Sequence, residues 1–200
     1  MSKIRLTLAI TAVLATTLTL AACSSGATPG GSQSTGTSAS QNAGVGPHND
    51  ADVTFTMSMV PHHSQAVDMA DTILKKGGID SRVTALATRI KAEQAPEITS
   101  MKSWLTTWGT PTSSVSGMSG MDSGTGMMSD SDMNALDAAT GLTASKLFLQ
   151  QMTQHHQGAI GMAKTEISDG KNSDAVTLAK NIVKGQSAEI TEMETLLKSL

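Results

Sequence analysis

The chain has 200 residues, a formal charge of −3, 16% charged and only 2% aromatic residues. With no Lys/Arg cluster to neutralise phosphates, a basic nucleic-acid binder is excluded, and the single cysteine excludes an internal disulfide framework or a Cys-rich metal knuckle. Thirteen methionines against two Phe, two Trp and no Tyr leave Leu, Ile, Val, Ala and Met to build the core, a composition that suits helices better than sheets.

Residues 1–22 read as an export signal. Lys3 and Arg5 precede an uncharged run from Leu6 to Leu20, and Leu20-Ala21-Ala22 leads directly into Cys23. A cysteine immediately after small residues resembles the bacterial lipoprotein signal, so Cys23 is the expected lipidated N-terminus and membrane anchor. Removing two basic residues and no acidic ones changes the charge to 12 − 17 = −5 for the exported chain. From residue 24 to residue 50 the chain holds six Gly, six Ser and three Thr, with no Leu, Ile, Phe or Met. Such a segment cannot bury enough apolar surface to offset ordering; residues 23–50 read as an anchor and a tether reaching about 30 Å.

Residues 51–200 are a duplication. FTMSMVPHHSQAVDMA from Phe55 matches FLQQMTQHHQGAIGMA from Phe148 at a shift of 93, and LATRIKAEQAPEITSMKSWL from Leu86 matches LAKNIVKGQSAEITEMETLL from Leu178 at a shift of 92. The shift changes where Gly77-Gly78 and Gly170 mark turns, so each half is predicted to be helix, turn, helix. Positions 55, 59, 62, 66 and 69 step by four and three as an inward stripe does, as do 87, 90, 94, 97, 101 and 104. Asp50, Asp80, Thr143 and Ser173 are the expected N-caps, and Gly109 with Pro111 the expected end of the second helix. Pro61 and Pro96 fall inside helices, where each should kink the helix or mark a restart. The expected architecture is all-α: a four-helix bundle of two tandem helix-turn-helix repeats joined by one long crossover.

The inward stripe carries Met59, His62, Met69, Gln94, Glu97 and Met101 in one half and Met152, His155, Met162, Gln186, Glu189 and Met193 in the other, where aliphatic side chains belong. Imidazole, amide and carboxylate buried without partners would each cost roughly several kcal/mol, so they must satisfy one another or hold a metal. Met59 lies three and four residues before His62 and His63, adjacent on one face, and Met152 stands likewise to His155 and His156. A Met stripe alone is ordinary core filling; two matched Met/His groupings, each followed by Glu-x-x-x-Met, point beyond it. Thioether and imidazole donors favour Cu(I), with Cu(II) also accepted by imidazole. Glu97 and Glu189 either ligate or fix the imidazole tautomers from behind, and Gln94 and Gln186 sit with them. Trp104 reads as a core cap and His48 as incidental.

The crossover, residues 111–133, is rich in Ser and Gly yet contains Met118, Met121, Met127 and Met128, with Met133 at its end. Methionines in a polar linker read as an auxiliary capture site, or as a flap over the bundle.

The repeated M-x-x-HH-x-x-A-x-x-MA segment, each copy followed by Q-x-x-EI-x-x-M, resembles the domain-of-unknown-function 305 family (DUF305) over about residues 50–200. The resemblance implies a ferritin-like four-helix bundle in exported or membrane-anchored bacterial proteins, some serving copper tolerance. The metal positions it implies are Met59, His62, His63, Met69, Met101, Met152, His155, His156, Met162 and Met193. The expected function is therefore a non-enzymatic, lipid-anchored copper-binding protein that buffers copper or passes it to a transfer protein. A di-iron oxidase or ferroxidase is the alternative, but no Glu is followed three residues later by His. Haem has no C-x-x-C-H for attachment, and a metal-free helical interaction module is the bland alternative. No nucleophile elbow, P-loop or dinucleotide fingerprint is present.

Overall fold

The computed structural model describes residues 46–110 and 126–200. The leader, Cys23, residues 24–45 of the tether, Met118 and Met121 lie outside the described residues. Among the described residues the fold is all-α, with helices α1 (Asp50–Leu74), α2 (Ser81–Thr107), α3 (Asp130–Ala138), α4 (Gly141–Asp169) and α5 (Ser173–Ser199). The four long helices form the expected bundle. The short α3 was not foreseen: Ser129 and Asp132 make a capping box at its start, inside a stretch whose composition had suggested a bare linker.

Two hairpins, α1–α2 and α4–α5, provide the most extensive packing, and they join mainly through α1 against α4, while α2 and α5 barely touch. The turns explain the changed shift between the repeats. Helix α4 continues to Asp169, and only 170–172 separate it from α5, whereas 75–80 separate α1 from α2, with Gly78 at φ +73°. Of the expected N-caps, Asp80 caps α2 through its side chain, but α1 and α5 are capped by Asn49 and Asn172, one residue earlier than expected. Helix α4 starts after Thr140 rather than Thr143 and lacks a side-chain cap. Trp108 caps α2, and Gly109 at φ +72° ends it as expected.

Neither proline breaks its helix: α1 is continuous through Pro61 and α2 through Pro96. Pro96 is on an exposed turn, where water can satisfy the carbonyl its ring leaves unbonded, and burial of the opposite face holds the helix together.

The tether reading needs correction at its end. Asn49 caps α1 and donates from Nδ2 to the Asp169 carbonyl at 2.9 Å, and the His48 ring stacks on Trp108 at 4.8 Å. Residues 46–50 therefore belong to the bundle. Asp52, fully buried, accepts from the backbone N–H groups of Asn49 (2.7 Å), Lys171 (3.1 Å) and Asn172 (2.8 Å), which staples the start of α1 to the α4–α5 turn. The buried Glu166 carboxyl lies beside it, and neither of its oxygens receives a hydrogen bond from an N–H or hydroxyl donor. Two carboxyls can bond only if one keeps its proton. Burial, then the bond and charge of Asp52, push Glu166 up to about 8. Burial alone would raise Asp52 as well, but the Asn172 N–H, the Glu166 proton and the Asn49 and Lys171 N–H groups outweigh it and hold Asp52 low.

Candidate metal centre

The stripe read from sequence points inward. Met59, His62, His63, Met69, Met101, Met152, His155, His156 and Met193 have no exposed surface, whereas Met162 is half-buried. Because α1 and α4 run antiparallel, the histidines meet at mid-height. The His62 and His155 rings lie 3.7 Å apart between centroids, tilted by 36°. His63 and His156 flank this pair, each 6.3 Å from its own neighbour.

On either side of this imidazole layer lies an apolar cluster. One contains Met69, Met128, Met152 and Met193; the other contains Met59 and Met101, with Met162 packed against it. The sequence reading placed Met69 with the first half's own donors and Met162 with the second's. The structure instead exchanges them, because each methionine seven residues beyond a HisHis pair's first histidine sits one layer further along an antiparallel partner.

Each outer histidine is held by the carboxylate from the Q-x-x-E motif. The His63 Nε2–Glu97 Oε2 distance is 2.8 Å, and His156 Nε2–Glu189 Oε2 is 2.7 Å. A carboxylate only accepts, so Nε2 carries the hydrogen and Nδ1 carries the lone pair. Nδ1 of His63 and Nδ1 of His156 are buried with no hydrogen-bond partner. Such carboxylate–imidazole pairs, with the second nitrogen left open, are the arrangement that orients a metal-binding histidine. Both ring nitrogens of His155 also lack a partner of normal hydrogen-bond geometry. Burial, and then the neighbouring imidazoles of His62, His156 and His63, hold the His155 pKa well below the ordinary histidine value, which keeps the ring neutral with a lone pair available. Orphaned imidazole nitrogens between two Met-rich clusters are a donor set that fits a soft ion. Among the described residues no three of His, Cys, Asp and Glu converge on one point, so a hard ion demanding several such ligands finds no ready-made cage.

Pro96 does not disturb this geometry: the Glu97 contact matches the proline-free Glu189 contact to within 0.1 Å. Glu189 is the more enclosed, with 8% of its side chain exposed against 25% for Glu97, and Arg89 Nε lies 3.8 Å from it. Gln94 and Gln186 are buried nearby, each with Oε1 unpartnered. Trp104 closes the cluster that holds Met59.

The crossover methionines divide. Met128 is not a linker methionine: it is buried in the cluster of Met69 and Met152, Met133 packs on the same cluster, and Met127 is half-buried. The Gln65 amide clamps Met128 by donating to its carbonyl at 2.8 Å and accepting from its N–H at 2.7 Å. Gly126, at φ +74°, lets the chain pass so close to α4 that a Cβ would lie 2.6 Å from the Gln154 carbonyl oxygen. The clamp residue and the acid pair Asp52–Glu166 were missed from sequence. A glutamine one turn beyond HisHis and an acidic residue in an apolar helix end were visible, but their partners were not.

A helical bundle with a mid-height layer of imidazoles between methionine-rich clusters defines a class of candidate soft-metal proteins. The family described as "Domain of unknown function (DUF305)" matches residues 52–197, and the chain belongs to it. Similar solved structures include a DUF305 protein of Streptomyces coelicolor described as secreted, 34% identical, covering 74% of this chain and 93% of that one at a TM-score of 0.67. A DUF305 fragment from Deinococcus radiodurans is 29% identical over 78% of this chain and 100% of that one, with a TM-score of 0.67. CopM in its Cu(I)-bound form is 30% identical over 74% of this chain and 96% of that one, with a TM-score of 0.61, and CopM has also been solved with Cu(II) and with Ag. No curated protein matches the chain.

Proposed function

We propose that this protein is an extracytoplasmic, lipid-anchored copper-binding protein, not an enzyme, that holds Cu(I) through the His62, His63, His155 and His156 layer and the adjoining methionines, for buffering or for transfer to another carrier. The observation that carries this reading is the pair of buried His–Glu contacts that leave Nδ1 of His63 and His156 without a partner. The likeness to CopM, solved with Cu(I), Cu(II) and Ag, supports the choice of ion. The sequence ending in Ala22-Cys23 supports the anchor, and no helix among the described residues is long and apolar enough to cross a membrane.

Anaerobic titration with Cu(I) against a chromogenic chelator tests the reading. Replacing the four histidines together by Asn is expected to abolish tight binding while leaving helicity unchanged. Tight binding that survives would move the site to the methionines, Met118, Met121 and Met127 of the crossover among them. One observation favours a second reading, a metal-free bundle: the His62 and His155 rings already rest against each other. No Cu(I) uptake by the parent chain would decide for it.

A further inference from the structure

The hairpins meet through α1 and α4, which leaves a cleft between α2 and α5, the helices that barely touch. Glu93, Gln94, Glu97, Gly185, Gln186 and Glu189 line it, around a space of about 30 Å³, room for a water-sized occupant or two. Three carboxylates in a cleft do not by themselves make a site. Here two further side chains point to a ligand: Gln94, 3% exposed, and Gln186, 5% exposed, both line the cleft, and the buried Oε1 of each has no hydrogen-bond partner. The same Glu97 and Glu189 that line the cleft hold His63 and His156 on its inner side. Glu93 is exposed at the edge of the cleft, and Glu97 and Glu189 connect its lining to the back of the imidazole layer.

We infer that this cleft is the inlet through which a hydrated copper ion reaches the imidazole layer, with the Glu93, Glu97 and Glu189 carboxylates drawing the cation in and the Gln94 and Gln186 carbonyls replacing part of its water. All five donors are oxygens, which suit a cation in transit and hold a soft one weakly. Arg89, beside Glu189 and Glu192, limits the negative field at one wall. The exposed Glu93 has no acidic counterpart, because the repeat places Gly185 opposite it. That glycine keeps the mouth open, and a Cβ built on it meets nothing within 4 Å.

The inference rests on the copper reading, and its test separates the two. The full chain, in detergent, is mixed rapidly with Cu(I) supplied as its acetonitrile complex, and uncaptured copper is read at set times by adding excess bicinchoninate. Gly185→Phe places a ring at the mouth from an exposed helical position where a Cβ meets nothing within 4 Å, and it is expected to slow loading at least tenfold with equilibrium affinity unchanged. Glu93→Gln, which keeps the shape, is expected to slow loading two- to threefold at low ionic strength, an effect that fades in about 0.5 M salt. Gly77→Phe, in the α1–α2 turn with equally open surroundings, controls for added bulk and is expected to load at the parent rate. Loading of Gly185→Phe within twofold of the parent, at intact affinity, would overturn the inlet and leave the copper reading standing. Failure of the parent chain to bind at equilibrium would overturn both.

Discussion

The middle of the bundle and its ends answer differently to the duplication. At mid-height the two halves agree closely: His–Glu contacts of 2.8 and 2.7 Å, and His–His spacings of 6.3 Å with interplanar angles of 50° and 53°. At the ends they part. Asp52 corresponds through the shift of 93 to Ser145, and Glu166 to Ile73. One end is closed by a buried acid pair binding three backbone N–H groups, the other by a serine hydroxyl that accepts from Asp80 N at 3.2 Å and by an aliphatic side chain. Any arrangement that closes a bundle end suffices for stability, so the two ends are free to differ. A layer that holds a metal, as proposed, must present lone pairs at set positions and has fewer solutions, which fits the agreement lying where the imidazoles are.

The largest effect that would sharpen this contrast comes from Asp52→Ala. Three N–H groups lose their acceptor, and a loss of about 3 kcal/mol in unfolding free energy is expected by denaturant titration, with Cu(I) affinity unchanged once the chain is folded. Reduced affinity in the folded variant would break the division between end and middle. Next, Glu97→Gln with Glu189→Gln should lower Cu(I) affinity roughly 10- to 100-fold with little change in helicity. Glu189→Gln alone should account for more of it than Glu97→Gln, since Glu189 is better shielded from water.

The acid pair also predicts a pH dependence confined to one end. Glu166 ionises near 4.5 when unfolded and at about 8 when folded. Between those values the folded state binds more protons, so this group's contribution to stability is full below about pH 4.5, declines as pH rises to about 8 and is flat beyond. Asp52, held low, acts in the opposite sense: its contribution is present above about 3.8 and is lost on further acidification. Thermal unfolding at pH 5 and pH 8.5 should show a Tm lower at the higher pH by on the order of 5 °C, and Glu166→Gln should remove most of that difference. An unchanged difference would place its origin elsewhere. At the crossover, Gly126→Ala strains a positive φ and meets the Gln154 carbonyl; a loss of roughly 1–3 kcal/mol is expected, together with increased hydrogen exchange at the Met128 amide.

The residues that make the layer were legible because they recur: the same donors at the same spacing on two helical stripes leave little choice of face. The role of Glu97 and Glu189 behind the imidazoles was also within reach, since the motif that carries them lies on the partner helix of each hairpin. What sequence could not supply was the crossing of the hairpins. Stripe spacing places Met69 seven residues from His62 but does not say that the Met152 and Met193 cluster surrounds it, because that depends on α1 and α4 running antiparallel. Composition misled at residues 126–138, where a Gly/Ser-rich run yields to a capping box and a buried Met128 held by Gln65. Likewise Asn49 and Asn172, which reach across to the opposite hairpin, displaced the nearby Asp50 and Ser173 as caps.

The contact of His62 with His155 places the approximate twofold axis of the molecule between two rings. An occupant on that axis belongs to neither hairpin and occurs once; an occupant anywhere else has a symmetry mate. A single ion bound per layer would point to the axis, and two equivalent ions to a symmetric pair on either side of it.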